Sequence, residues 1–582
     1  MRRRFAMVAL TAMTVVVGMS ACTKVEDNGN SATPSKSTQE GGISKDPADS
    51  KGPAPEIAGA KKGGTAYILR RNDFSHLDPS RQYSVTAMAL GQLYYRTLTT
   101  FKDLGNNKLL LVGDLAEDTG KDVKGDCKTW EYKIKKGIKY EDGTEVKAAD
   151  IAYGVTRMFN DALVGGPTYM MEWLADTPQY TSVFDHAKPE NKDKLAPGIT
   201  VVDDYTVKFD FKKAHCEVPY AFNLPFGVPV PKAKDTGTNY DLAPVSTGPY
   251  KITKFTKGSE IILERNTNWD PNTDPIRHAY PDKFHVKLGI ATATVTQRLI
   301  ADVGDDQFAF TSGIDPAQVS SIASNAALQN RIISEITPFM FYMWINNQRV
   351  KDLKVRQALN WAIDRDAYIK SLGGDKLGTP GTTLLSPLTI GYEAYDAYPG
   401  GPTGNPTKAK ELLGGATPEL VLAHGDDPDA QTQAVAIKTG LEKAGFKITL
   451  VATPADSFLD KIGEKNNPWD LYVSGWAADW PSGASTLPVL WDGRTIKDAN
   501  NQDYPYFNND DVNKEFDRIN ALPDSAAAAK AWAALDKKLM TEFAPCVPLT
   551  FDRDYLVYGS KVGGLFESDV LGTVAFVNVH LK

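Results

Sequence analysis

Residues 419–474 alternate between strand-like and helix-like periodicity, and no other feature constrains the fold of this chain as tightly. Glu419-Leu420-Val421-Leu422-Ala423 reads as a strand. A helix is expected over 429–444, with Ala434, Ile437 and Leu441 on one face and Gly445 as its stop. Phe446, Ile448 and Leu450 alternate as a second strand, a short helix covers 457–464, and 470–474 is a third strand. A strand–helix–strand run calls for parallel pairing with a right-handed crossover, so this region is an open α/β layer. Ligands of such layers bind beyond the C-terminal ends of the strands. That position holds Gly475-Trp476-Ala477-Ala478-Asp479-Trp480-Pro481.

Other segments are equally periodic. Trp130, Tyr132 and Ile134 alternate with charged neighbours, as do Tyr205, Val207, Phe209 and Phe211, giving two half-exposed strands. Helices are expected over 84–98 and 151–159, over one run from Asp352 to Ile369, and over 526–543. With 582 residues, 42% hydrophobic and 24% charged, the chain has material for several domains with real cores. Its formal charge of −7 argues against a nucleic-acid partner. The seven His show no metal-ligand spacing, no Cys-x-x-Cys occurs, and no Walker loop, Gly-x-Ser-x-Gly elbow or Rossmann fingerprint follows a strand. No metal, cofactor or catalytic residue is therefore assigned.

The first sixty residues give an address. Arg2, Arg3 and Arg4 precede a short apolar stretch, and small residues lead into Cys22, so 1–21 reads as a lipoprotein signal peptide with lipidation at Cys22. An ordinary signal peptide ending at Ala21 is the plainer reading of the same residues. Removing 1–21 takes away three Arg and no acid, leaving −10. Residues 23–60 lack aromatics, and their only large apolar residues are Val25, Ile43 and Ile57. The expectation for 22–60 is a lipidated Cys and a disordered tether, which places the protein outside the cytoplasm on the outer face of the cell membrane.

Motifs distributed along the chain bear on its class. They include Asp114-Leu115-Ala116-Glu117, Thr129-Trp130-Glu131-Tyr132-Lys133-Ile134-Lys135-Lys136-Gly137-Ile138-Lys139-Tyr140, and Val146-Lys147-Ala148-Ala149-Asp150-Ile151. They continue with Thr247-Gly248-Pro249-Tyr250, Asn266 with Trp269, and Val355-Arg356-Gln357-Ala358-Leu359-Asn360-Trp361-Ala362-Ile363-Asp364-Arg365. The last are Gly475-Trp476-Ala477-Ala478-Asp479 and Pro545-x-x-Pro548. In this order the sequence resembles the family 5 extracellular solute-binding proteins, the dipeptide- and oligopeptide-binding components of bacterial ABC importers. The resemblance implies an α/β, two-lobed periplasmic-binding-protein fold of the large peptide-binding type II class, with an inserted third subdomain. Mapped here, lobe I is 61–100 plus 236–338 plus 546–582, the insert is 101–235 and lobe II is 339–545.

The same resemblance implies function. A monomer would capture an oligopeptide-like solute between its lobes and present it to ABC permease subunits driven by cytosolic ATPases, with no bond made or broken. Asp479 would pair with the ligand α-ammonium, and Gly475, Trp476 and Trp480 would stand beside it. Interlobe packing is the alternative for Trp476, and a cap or lobe-to-lobe pair for Asp479. Phe339, Phe341, Tyr342 and Trp344 lie at the hinge exit, where alternate residues face the cleft or the core. A metal chelate or sugar cargo, a lipid-anchored sensor and a hydrolase are the competing readings; the last lacks a nucleophile–base motif. Cys127 precedes one exposed-face strand and Cys216 follows the other, so antiparallel pairing would bring them within bridging reach outside the cell. Cys546 reads as a buried thiol.

Overall fold

Three sheets organise the computed structural model, which describes residues 40–582 apart from 106, 107 and 164. The first has the strand order Ala309–Phe310, Thr65–Leu69, Lys283–Lys287, Glu260–Arg265, Tyr250–Thr256. The second, six-stranded, runs Gly378–Pro380, Cys546–Val557, Ile332–Ile345, Leu471–Ala477, Glu419–Gly425, Lys447–Thr453. The third belongs to the region expected as an insert: Lys121–Asp122, Thr129–Lys133, Thr206–Asp210, Ile199–Asp203. The parallel unit read from 419–474 is present. Glu419–Gly425 pairs in parallel with Lys447–Thr453 and with Leu471–Ala477, and the helix Pro428–Lys443 connects the first two. Asp427 caps that helix, accepting from the Ala430 N–H, and Ala434, Ile437 and Leu441 are its buried face.

Two long antiparallel strands, Ile332–Ile345 and Cys546–Val557, carry the chain from one hydrophobic core to another. Ile332, Tyr555 and Val557 pack with Leu69, Leu299 and Ala309 of the first sheet's core. Met343, Ile345, Val547 and Leu549 pack with Leu422, Ile437 and Leu471 of the second. The pairing register breaks between Ile336 and Met340, where the Thr337 hydroxyl donates to Asp552 at 2.9 Å. The passage between cores therefore falls inside the strands, near 337–339 and 552. The strand Cys546–Val557 pairs along its length within the six-stranded sheet, with Val547 and Leu549 in that sheet's core and Tyr555 and Val557 in the first sheet's core.

The strands containing Trp130 and Phe209 pair antiparallel, with Thr129 opposite Asp210. That register brings the chain ends together: the His215 N–H donates to the Cys127 carbonyl at 2.9 Å, and Cys127 and Cys216 are disulfide-bonded. Cys546 is a buried thiol. Trp130, Tyr132 and Tyr140 are core residues.

Two expectations fail locally. The single helix from Asp352 to Ile369 is two helices, Leu353–Ala362 and Arg365–Leu372, because the Asp364 carboxylate accepts from the Ala367 N–H and starts the second. More consequential is 40–60, expected as part of a disordered tether. Glu40–Ile43 is a strand parallel to Lys108–Gly113. Ser50 Oγ accepts from the Gly113 N–H at 2.8 Å, and Lys135 Nζ donates to the Ser50 carbonyl at 2.6 Å. Farther on, the Ile57 N–H donates to Tyr280 Oη at 3.0 Å. A Cβ at Gly52 would stand 2.4 Å from the Pro271 carbonyl oxygen, so the chain hugs the body where only glycine fits. Backbone pairing, not apolar burial, compensates the ordering entropy of this strap. Residues 1–21 and Cys22 lie outside the described residues.

Beneath the strap lies a fully buried ion cluster. Arg96 Nε meets Asp114 at 2.7 Å, Arg277 Nη2 meets Asp114 at 2.8 Å, and Asp274 lies 3.3 Å from Arg277 Nη1. Two guanidinium groups against two carboxylates satisfy one another, and removing any one would strand buried charge.

Candidate functional site

The strand Leu471–Ala477 leads to Asp479, which meets residues from distant parts of the chain. The loop after it is fixed internally: Ser485 Oγ donates to the Trp480 carbonyl at 2.8 Å, and Trp476 Nε1 donates to the Ser485 carbonyl at 3.1 Å. Ser482 caps the turn that follows, accepting from the Ala484 N–H.

Asp479 Oδ2 accepts two hydroxyls from distant elements. Tyr83, just ahead of the Ser84 cap of the helix Val85–Tyr94, donates at 2.8 Å. Tyr169, first residue of the helix Tyr169–Ala175, donates at 2.5 Å. No basic side chain pairs with this carboxylate among the described residues. Burial therefore dominates and pushes its pKa up to about 7, against the opposing pull of the two hydroxyls. Burial likewise raises both tyrosines well above their ordinary range, which keeps them protonated as donors.

Trp480 is buried beside this acid, its ring centroid 5.0 Å from Tyr169 and 6.4 Å from Trp173. Its Nε1 donates to Glu217 Oε2 at 2.5 Å, and Ser482 Oγ donates to Glu217 Oε1 at 2.7 Å. Glu217 follows the disulfide residue Cys216, and burial raises its pKa. Tyr169 and Glu217, both in the region expected as an insert, thus bond to Asp479 and its loop at two points.

The cavity at the junction is lined by Val85, Met88 and Gln92 on one side, Ala477, Ala478 and Asp479 on another, and Asn223, Val570 and Leu571. Of the four residues expected at the ligand, Asp479 lines it. Gly475, Trp476 and Trp480 stand behind it: a Cβ on Gly475 would come 3.0 Å from the Phe341 ring. Tyr342 and Trp344 are core residues, whereas Phe339 and Phe341 are half-buried. Tyr83, Tyr169 and Glu217 were not legible in the sequence, because each is an isolated residue whose partner is 263 to 396 positions away.

Two α/β lobes joined by paired crossing strands, with an acid at their junction, define a solute-binding fold. Residues 111–498 match the bacterial extracellular solute-binding proteins, family 5, middle region, and the chain belongs to that family. The glutathione-binding protein GsiB of Pectobacterium atrosepticum is 22% identical over 524 residues, covering 86% of this chain and 91% of its own. GsiB of Escherichia coli K12 is 21% identical over 513 residues, covering 85% and 90%. Among solved structures, the clavulanic acid biosynthesis oligopeptide binding protein 2 superposes with a TM-score of 0.82 at 27% identity, covering 90% of this chain and 96% of that one. DppA from Helicobacter pylori in complex with the peptide STSA superposes with a TM-score of 0.69 at 20% identity, covering 90% and 99%. The fold is the type II periplasmic peptide-binding class. Members of the family are substrate-binding components of ABC importers that act outside the cytoplasm. Among the described residues no helix is long and apolar enough to cross a membrane.

Proposed function

We propose that this chain is a lipid-anchored, monomeric importer receptor whose cargo is an oligopeptide-like solute held by its α-ammonium at Asp479. One observation carries the reading: a buried carboxylate beyond the strand Leu471–Ala477 has two hydroxyl donors and, among the described residues, no basic side-chain partner. A ligand ammonium supplies the missing charge, and the closed cleft makes that pair strong and directional. Ligand contacts on both lobes would favour closure, and the closed form is what permease subunits with their ATPases would recognise. The function is binding and delivery, without catalysis. Relatives named for glutathione or crystallised with peptides agree with a peptide-like cargo. Cys22 is the proposed lipid attachment site.

Native mass spectrometry of residues 22–582, purified gently from a rich medium, tests the cargo. A set of short-peptide masses lost in Asp479→Ala supports the reading; one defined non-peptide mass retained in Asp479→Ala overturns it. Release of the protein from cells by Cys22→Ala tests the anchor, and unchanged membrane retention would refute it.

A further inference from the structure

Val570 and Leu571, on the wall of the Asp479 cavity, are the tip of a hairpin whose strands are Phe566–Ser568 and Thr573–Ala575. That tip is seated where the two long strands lose register, between Ile336 and Met340. A Cβ on Gly572 would come 3.0 Å from the Pro338 ring and 3.1 Å from the Phe339 ring, so the hairpin lies in close contact with 338–339.

The seat is acidic. Glu567, in the first hairpin strand, is 8% exposed, and neither of its carboxyl oxygens has a hydrogen-bond partner. It faces the carboxyl of Asp554 on the long strand Cys546–Val557. Asp552 stands two residues earlier on the same face of that strand, accepting from the Thr337 hydroxyl at 2.9 Å, and Glu335 is opposite Asp554 in the ladder. Asp569 and Asp103 extend the negative field at the hairpin tip, where Lys102 stands on the same cavity wall as Asp569. Arg553 lies on the other face of its strand, its Nη2 donating to the Ser334 carbonyl at 3.3 Å. Tyr368, from the helix Arg365–Leu372, stands near Asp552. No basic side chain pairs with Asp552, Asp554 or Glu567 among the described residues.

Two facing carboxylates in a dry site without a cation cannot both stay ionised. Burial and the neighbouring acids raise the pKa of both groups. One carboxyl then keeps its O–H and donates it to the other. We propose that Asp554 and Glu567 share a proton that fastens the hairpin 566–575 to the paired long strands, and that losing this proton loosens the cavity wall formed by Val570 and Leu571. With the proton, the pair is a hydrogen bond; without it, two like charges face one another across the seat. Because folding raises both pKa values, the seating is complete at acid pH and is lost as pH rises through the pair's upper titration, on the alkaline side of neutrality. The wall of the cavity is in this way a pH-sensitive element of the fold.

Hydrogen exchange of ligand-free residues 22–582, followed by mass spectrometry with EDTA present, tests this independently of any cargo. Rates are read as protection factors against the intrinsic rate at each pH. Protection over 566–575 is expected to fall about tenfold or more between pH 6 and pH 9, while the unit at 419–453 keeps its own. Glu567→Gln, whose amide donates to Asp554 at any pH, should flatten that profile, and Asp554→Asn should do the same from the other side. Protection of 566–575 that does not change with pH in the parent protein overturns the shared proton. A loss that persists unchanged in both variants overturns it as well, since the titrating group would then lie elsewhere.

Discussion

The hydroxyl of Tyr83 donates to Asp479 Oδ2 at 2.8 Å, joining two residues 396 positions apart across the junction of the lobes. With Tyr169 on the same oxygen, the carboxyl sits in a dry site whose pKa is about 7. In the unfolded chain the group titrates near 3.8, so folding favours its protonated form. The stability cost is absent below about pH 4, grows as pH rises, and is complete above about 7. Asp479→Asn should therefore raise the melting temperature of the ligand-free protein by a few degrees at pH 8 and change it little at pH 4. Scanning calorimetry at the two pH values checks this; an equal shift at both would remove the titration argument.

Ligand binding should show the opposite face of that carboxyl. An ammonium pairs with the ionised form, so peptide affinity should rise with pH up to about 7 and fall again above about 8, where the ligand's own α-amino group loses its proton. The two hydroxyls lower the carboxyl's pKa, so Tyr83→Phe and Tyr169→Phe should each move the midpoint to higher pH. Titration calorimetry between pH 5 and 9 reads the midpoint directly, and a flat profile in the parent protein would contradict it.

Glu217 predicts a separate effect. Its two oxygens accept from Trp480 and Ser482, and nothing else in the described structure accepts either donor in its place. Glu217→Ala leaves a buried indole N–H and a hydroxyl unpaired, at a cost of about 2–5 kcal/mol. If Glu217 belongs to an insert and Trp480 to a separate lobe, as the family resemblance implies, the cost falls on the arrangement that brings them together. A larger radius of gyration by small-angle scattering in the presence of ligand, with a shifted tryptophan emission, is the expected result. Unchanged closure would show the pair to be incidental.

Local chemistry explains what the sequence disclosed. The Ser84, Asp352 and Asp427 caps, the alternation around Trp130 and Phe209, and the strand–helix–strand run at 419–453 rest on neighbours within a few residues. The position of Asp479 was legible because parallel-sheet topology points to the end of the strand Leu471–Ala477, while its expected role came from the family resemblance. The strap escaped because its order comes from hydrogen bonds of the Ser50 hydroxyl and of its backbone to Gly113, Lys135 and Tyr280, which leave no mark on composition. The break at Asp364 escaped because the apolar spacing continues across it while the cap ends one helix and begins another. Tyr83 and Tyr169 escaped because a single tyrosine at a helix start reads the same whether it meets solvent, core or a carboxylate.

The disulfide gives the last prediction. Cys127 and Cys216 close a loop with a sequence separation of 89, which spans most of the insert, including Tyr169. Restricting a loop of that length in the unfolded chain stabilises the native state by up to about 4.6 kcal/mol on chain entropy alone, and typically by about 2–4. Cys127→Ser with Cys216→Ser should lower the melting temperature by several degrees, matched by the parent protein under reductant. The bridge also fixes Glu217, the next residue after Cys216, against Trp480. Its loss should therefore speed ligand release as well as weaken the fold. Stopped-flow dissociation separates the two effects: a faster off-rate well below the melting temperature would mark positioning of the Glu217 contact. An unchanged off-rate with a lowered melting temperature would confine the bridge to stability.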